Sequence, residues 1–177
     1  IVEVVALGVP TGLGEPVFSK LDGELGRMLG IGAVKGVEVG AGFGVKDMTG
    51  SQSNDQISCE DGKVTFDTNN AGGVTGGLAT GQPVVARLAV KPTPTIDKPQ
   101  HTIDKYTHEK KDLAAITRRD PTIVGRIWPV AESFTAIVIL DLLIAHYGYQ
   151  ALKEKVARRA MAGFALATVG ADRKSVV

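Results

Sequence analysis

Apolar and polar positions along the chain divide it into short strands, two helical stretches and two long irregular segments. Residues 1–9, IVEVVALGV, are dense in β-branched and apolar types and predict a strand. PTGLGEP then reads as a turn, and Glu15–Pro16 opens a helix, since proline is tolerated at the first helical position. Val17, Phe18, Leu21, Leu25, Met28 and Leu29 fall on one helical face, and Gly30 is the stop. Gly23 and Gly26 weaken such a helix by about 1 kcal/mol each and point to a close helix contact.

Residues 33–40 predict a second strand, with Val34, Val37 and Val39 as its apolar positions, and residues 83–90, PVVARLAV, predict a third. Between them, residues 41–81 lack periodicity and are rich in Gly, Ser, Asn and Asp; a loop that long is functional or disordered in most domains. KPTPTIDKPQHTIDKYTHEKKD reads as a second, proline-punctuated and charged connection. A long helix is expected from Trp128–Pro129 to Gly148, an amphipathic helix after it, and a frayed tail over 171–177. Strands and helices mix without the regular alternation of a doubly wound sheet. The expectation is an α+β domain over residues 1–170, an antiparallel sheet packed on helices.

Composition narrows the function classes. Apolar residues make up 44% and charged residues 22% of 177, which is globular rather than disordered. Twenty basic residues against nineteen acidic ones leave a net charge of +1, so no global charge argues for nucleic acid or a membrane surface, and an anion site must be local. Cys59 is a lone cysteine, which suits a reducing cytoplasm and excludes an internal disulfide. The first residues lack the basic region of a signal peptide, and they also lack an initiator Met. The apolar run 127–148 contains Glu132 and Asp141, each costing about 2.5 kcal/mol or more near a bilayer centre, so it is read as a buried helix.

Three clusters carry candidate chemistry. Gly72, Gly73, Gly76, Gly77 and Gly81 crowd ten residues. The spacing from Gly76 to Gly81 is that of a phosphate loop, but Gln82–Pro83 replace its Lys-Ser/Thr, and the glycines precede a strand where a dinucleotide fingerprint would follow one. A turn that lets elements cross closely explains them equally well. Lys91–Ile96, KPTPTI, combines one cation and two hydroxyls at a strand end; it is either an anion site or a solvated, proline-stiffened loop. In ITRRDPTIVGR, Arg118 and Arg119 precede Asp120, as an anion-binding arginine beside an acid/base carboxylate or as a surface ion pair. His101, Asp104 and His108 lack metal-ligand spacing, and no metal site is expected. Ser51, Ser53 and Ser58 have no His–Asp partners for a hydrolase triad, and His146 reads as a core or interface residue.

GVPTGLGEPVFSKLDGELGRML, AVKGVEVGAGF, GSQSND, NNAGGVTGGLATGQPVVARLAVKPTPTI and RRDPTIVGRIWPVAE, in this order over residues 1–150, resemble the C-terminal half of chorismate synthase. The resemblance implies one half of a duplicated β-α-β sandwich. It implies elimination of phosphate from 5-enolpyruvylshikimate 3-phosphate to give chorismate, closing the shikimate pathway. Reduced FMN would be required without net redox change, with NADPH as a candidate reductant, in a cytoplasmic homotetramer. Residue by residue, Gly32 and Ala33 match a flavin-contacting pair, although Gly32 stands where the family often has Asn or Gln. Gly76 matches a glycine at the flavin, and Lys91, Pro92, Thr93, Pro94 and Thr95 match the flavin-binding KPT loop. Arg118 and Asp120 match the arginine and the proton-removing aspartate of an Arg-His-Asp-Pro motif, in which Arg119 replaces the His. The family's catalytic histidines belong to its N-terminal half, so the 177 residues alone are expected to be inactive. A non-catalytic flavin-binding or assembly module and a generic anion-binding domain are the competing readings.

Overall fold

The computed structural model describes residues 1–15, 17–114, 122–149, 151 and 153–158. Three strands form the main sheet: β1 (Val2–Ala6), β2 (Val34–Val39) and β7 (Val84–Val90). Their order is β1-β7-β2 and both pairings are antiparallel, so the strand latest in sequence lies in the middle. On β7, Val84, Ala86 and Leu88 alternate inward and are buried, the period of two that a half-covered strand requires. The expected α+β arrangement of an antiparallel sheet with helices is observed.

Helix α1 (Leu21–Gly26) runs into a 3₁₀ turn, Arg27–Gly30, and buries Leu21, Leu25 and Met28. It is shorter than expected. Val17 and Phe18 precede it, and Phe18 is 91% exposed, because the chain from 17 to 20 is not helical. Helix α3 (Val124–Tyr147) begins four residues before the expected start and carries Pro129 inside it. Ile127, Ala131, Thr135, Val138 and Leu142 form its buried stripe, at the three- and four-residue spacing of one helix face. Ala131, Leu25 and Leu88 belong to one apolar cluster, so α3 closes the core over β1 and α1. The expectation of a buried helix is corrected here: Trp128, Val130, Ile137 and Leu140 are each at least half exposed, because only one stripe meets the sheet. By length and composition alone α3 could cross a membrane. His146 is exposed and stacks edge-on against Tyr147, so it is not a core residue.

Both long irregular segments hold structure. The first contains a 3₁₀ turn (Gly42–Asp47), the one-turn helix α2 (Gly50–Ser53), the hairpin β3 (Ile57–Glu60) and β4 (Lys63–Phe66), and the two-residue strands β5 (Val74–Thr75) and β6 (Leu78–Ala79). Thr49 caps α2 reciprocally with Gln52, an arrangement the S/T-x-x-Q pattern encodes. The second forms the hairpin β8 (Gln100–Ile103) and β9 (Lys110–Leu113), exposed along its whole length. Asp104 shapes its tip by accepting from the N–H groups of Tyr106 and Thr107 and from Lys111 Nζ at 2.6 Å. The expected tail over 171–177 lies outside the described residues. Residues 153–158 are helical.

Candidate functional site

The antiparallel pairing of β2 with β7 sets Val34 opposite Val90, so the residues just before β2 and just after β7 meet at one end of the sheet. The Lys91 N–H donates to the Ala33 carbonyl oxygen at 2.7 Å and locks that junction. Ala33 has φ +68°, a left-handed conformation that costs a non-glycine residue about 1–2 kcal/mol. Strain of that size persists where the surroundings over-determine the backbone, as they do at binding sites.

Around the junction lies a cavity of about 430 Å³, within the usual size of small-molecule sites. Ala33, just before β2, and Lys35 within it line the cavity on one side, and Lys91, Pro92, Thr93 and Pro94 line it from the chain leaving β7. Thr122, Ile123 and Arg126 close it from the start of α3. Among the described residues, the lining offers three cations, two threonine hydroxyls and apolar surface from the prolines, Ile123 and Ala33, and no carboxylate. An anionic ligand with a flat ring fits that donor set, which is what FMN requires. Gly32 is exposed beside Ala33 and Thr95 follows Pro94, both just outside the lining. Arg118 and Asp120 lie outside the described residues, two positions before the lining residue Thr122 in the case of Asp120.

Lys35, Thr122, Ile123 and Arg126 were not singled out by sequence. Lys35 is the extra residue of a β-bulge: Val34 pairs with Val90 and Gly36 with Ala89, so Lys35 has no counterpart on β7. Bulges re-aim a side chain, and this one faces the cavity. No residue pattern announced the bulge. Arg126 was overlooked because the helix was expected to begin after it.

The glycine stretch lies elsewhere. Strand β7, about 20 Å long at ~3.3 Å per residue, separates the end of the stretch from Lys91, and none of its glycines lines the cavity. Gly76 and the KPT loop, both matched to flavin contacts by the resemblance, do not line one cavity within this chain. Gly76 sits in the β5–β6 turn with φ +63° and open space where a Cβ would point. Its neighbours show why the stretch needs glycine: a Cβ on Gly72 would strike the backbone of Gly40, and one on Gly14 would strike the carbonyl of Gly77. Gly40 N–H donates to Val85 O at 3.0 Å, Val85 N–H to Gly72 O at 3.1 Å and Leu21 N–H to Gly77 O at 2.9 Å. These are crossing backbones, the packing explanation rather than the phosphate-loop one.

A larger concavity of about 1200 Å³ opens between these turns and the β3–β4 hairpin. Among the described residues its lining has no cationic side chain, and the one ionisable residue there, Asp55, already accepts bonds from Thr68, Asn70 and Ala71. Partial burial pushes the Asp55 carboxyl up, but the bonds from Thr68, Ala71 and Asn70 outweigh it and hold its pKa below the ordinary value. Size notwithstanding, this cleft lacks the charge to take an anion, and the smaller Ala33–Lys91 cavity has it.

The family model for chorismate synthase matches residues 1–144. Among curated proteins, the chorismate synthase of Methanococcoides burtonii is 50% identical over 145 residues, covering 81% of this chain and 40% of the relative. That of Methanocaldococcus jannaschii is 52% identical over 146 residues, covering 81% and 39%. A crystal structure of chorismate synthase superposes with a TM-score of 0.67 at 33% identity, covering 90% of this chain and 41% of that one. The chain therefore spans about 40% of the length of the curated relatives it matches.

Proposed function

The chain belongs to the chorismate synthase family, lyases of aromatic amino acid biosynthesis, and from that premise we propose that it forms the flavin-facing part of an enzyme that eliminates phosphate from 5-enolpyruvylshikimate 3-phosphate to give chorismate. The observation that carries the reading is the meeting of Ala33 with Lys91–Pro94 in one cationic cavity, although the two segments are far apart in sequence. When bound, reduced FMN lends electron density to the substrate ring without net redox change.

The chain's own residues have separate tasks. Pro92, Pro94, Ile123 and Ala33 give a flat ligand an apolar surface to lie against. Lys91 and Thr93 donate hydrogen bonds to an anion from a loop that proline stiffens. The elimination breaks a C–H and a C–O bond, so it needs a proton acceptor and a stabilised leaving phosphate. Asp120 is proposed as the acceptor and Arg118 as the stabilising cation, both carried over from the family motif. Gly32 and Thr95 flank the cavity as supporting positions, and Gly76 is not part of this wall. NADPH as reductant, a homotetramer and a cytoplasmic location complete the proposal.

The test is an FMN titration of the purified chain followed by flavin fluorescence. Saturable quenching is expected; its absence overturns the flavin reading. Phosphate release with reduced FMN is expected to be undetectable from the 177 residues alone. It should appear when the part of the Methanococcoides burtonii relative that this chain does not match is supplied in trans.

A further inference from the structure

We infer that Lys35 and Arg126 act with Lys91 as the holders of a phosphate monoester in the Ala33–Lys91 cavity. The inference rests on the flavin reading above but assigns two residues that the KPT loop does not contain. Lys35 reaches the cavity only because the bulge between Val34 and Gly36 removes it from the ladder with β7. Arg126 reaches it from the first turn of α3.

The charge accounting supports a ligand rather than a solvated face. Among the described residues, Arg27, Arg87 and Arg158 each have a carboxylate partner, at 2.8, 3.2 and 3.8 Å. Among the described residues Arg126 has no such partner, and Lys35 and Lys91 have no ion pair there. Three cations lining one cavity give it a local positive potential, which favours an anion there. A phosphate monoester carries a charge of about −1.5 to −2 at neutral pH and three acceptor oxygens. The planar fork of Arg126 suits two of those oxygens, and the lysines suit the rest as point charges.

Two phosphates are chemically eligible, that of FMN and that of the substrate. The experiment is calorimetric titration of the 177-residue chain, and of its Lys35→Gln, Arg126→Gln and double variants, with FMN, riboflavin, 5-enolpyruvylshikimate 3-phosphate and inorganic phosphate. Both side chains are exposed, so folding should survive, and far-UV circular dichroism checks it. Each substitution is expected to weaken the phosphate-bearing ligand about tenfold, with the double variant about 100-fold weaker. Riboflavin affinity should not change, and Arg126→Lys should recover only part of the affinity lost in Arg126→Gln, because an ammonium keeps the charge but not the bidentate fork. Loss with FMN assigns the flavin phosphate, and loss with the substrate assigns the other. Unchanged affinity for both in the double variant overturns the inference while leaving the flavin reading intact. Binding of a phosphate ligand that depends on Lys35 and Arg126, in a wild-type chain that binds neither FMN nor riboflavin, sinks the flavin reading and keeps the inference. A wild-type chain that binds no phosphate ligand overturns it.

Discussion

The carboxylate of Asp55 accepts a hydrogen bond from the backbone N–H of Ala71 at 2.8 Å, and its other oxygen accepts from the N–H of Asn70 at 2.7 Å. One side chain from the GSQSND segment thus fixes the entry to the glycine stretch. Asp55→Asn turns one acceptor oxygen into a donor facing donors, and at neutral pH it should cost about 1–3 kcal/mol. Because the folded-state pKa of Asp55 is depressed, its contribution is fully present above the unfolded carboxylate value and is lost as pH falls through the folded value. Urea midpoints of wild type and variant should therefore converge in acid. A gap that does not narrow as pH falls below the ordinary carboxylate value would refute the role.

Gly40 and Gly76 share a positive φ but not an environment. A Cβ at Gly40 would overlap the backbone of Asn70, Ala71 and Gly72, whereas one at Gly76 would meet nothing within 4 Å. Gly40→Ala should destabilise by more than about 3 kcal/mol or prevent folding, since backbone cannot step aside as a flexible side chain can. Gly76→Ala should cost about 1 kcal/mol, the strain alone. Thermal unfolding of the two variants decides this, and equal losses would contradict the crossing-backbone account.

Ala33 offers the reverse experiment. At φ +68° glycine is the better residue, so Ala33→Gly should raise stability by about 0.5–1 kcal/mol if relief of strain exceeds the added freedom of the unfolded chain. A lower unfolding midpoint in the variant would mean that the methyl group's contacts outweigh the strain.

At the tip of the β8–β9 hairpin, the Lys111 ammonium, helped by the Thr107 and Tyr106 N–H groups, lowers the pKa of Asp104 to about 2. Its hold on the tip is therefore present above the ordinary carboxylate value and is lost only as pH falls through about 2. An NMR titration should find that midpoint well below those of exposed carboxylates. Asp104→Ala should speed amide exchange between 100 and 113 while leaving the global midpoint nearly unchanged, because the hairpin's strands bury nothing. A large global shift would show that the hairpin belongs to the core.

The three sheet strands were legible because each is a run of β-branched residues bounded by glycine or proline, and α3 because its apolar run is long. The start of α1 was misplaced because Val17 and Phe18 match the helical period, while the chain is not helical before Lys20 and leaves Phe18 in solvent. The small elements between 41 and 81 depend on side-chain clamps such as Asp55 and on backbone crossings, and neither has a hydrophobic period. Thr49 and Gln52 did carry a readable capping signal. In the site, Ala33 and Lys91 were identified through family motifs, and their meeting follows from antiparallel pairing of two strands that were each foreseen. Lys35 depended on a bulge, a property of two strands together that neither strand spells alone. Arg118 and Asp120, the remaining motif residues, lie outside the described residues.

The central position of β7 also limits how descendants of this chain can vary in length. One residue added within Val84–Val90 would put the inward positions on either side of it on opposite faces, or force a bulge, and would break the register that brings Lys91 to Ala33. The exposed β8–β9 hairpin imposes no such register on anything but itself. Insertions and deletions can accumulate in the arm between 100 and 113, where a lineage is free to lengthen or trim it, while the strand that joins the crossing glycines to the cationic cavity keeps its seven residues.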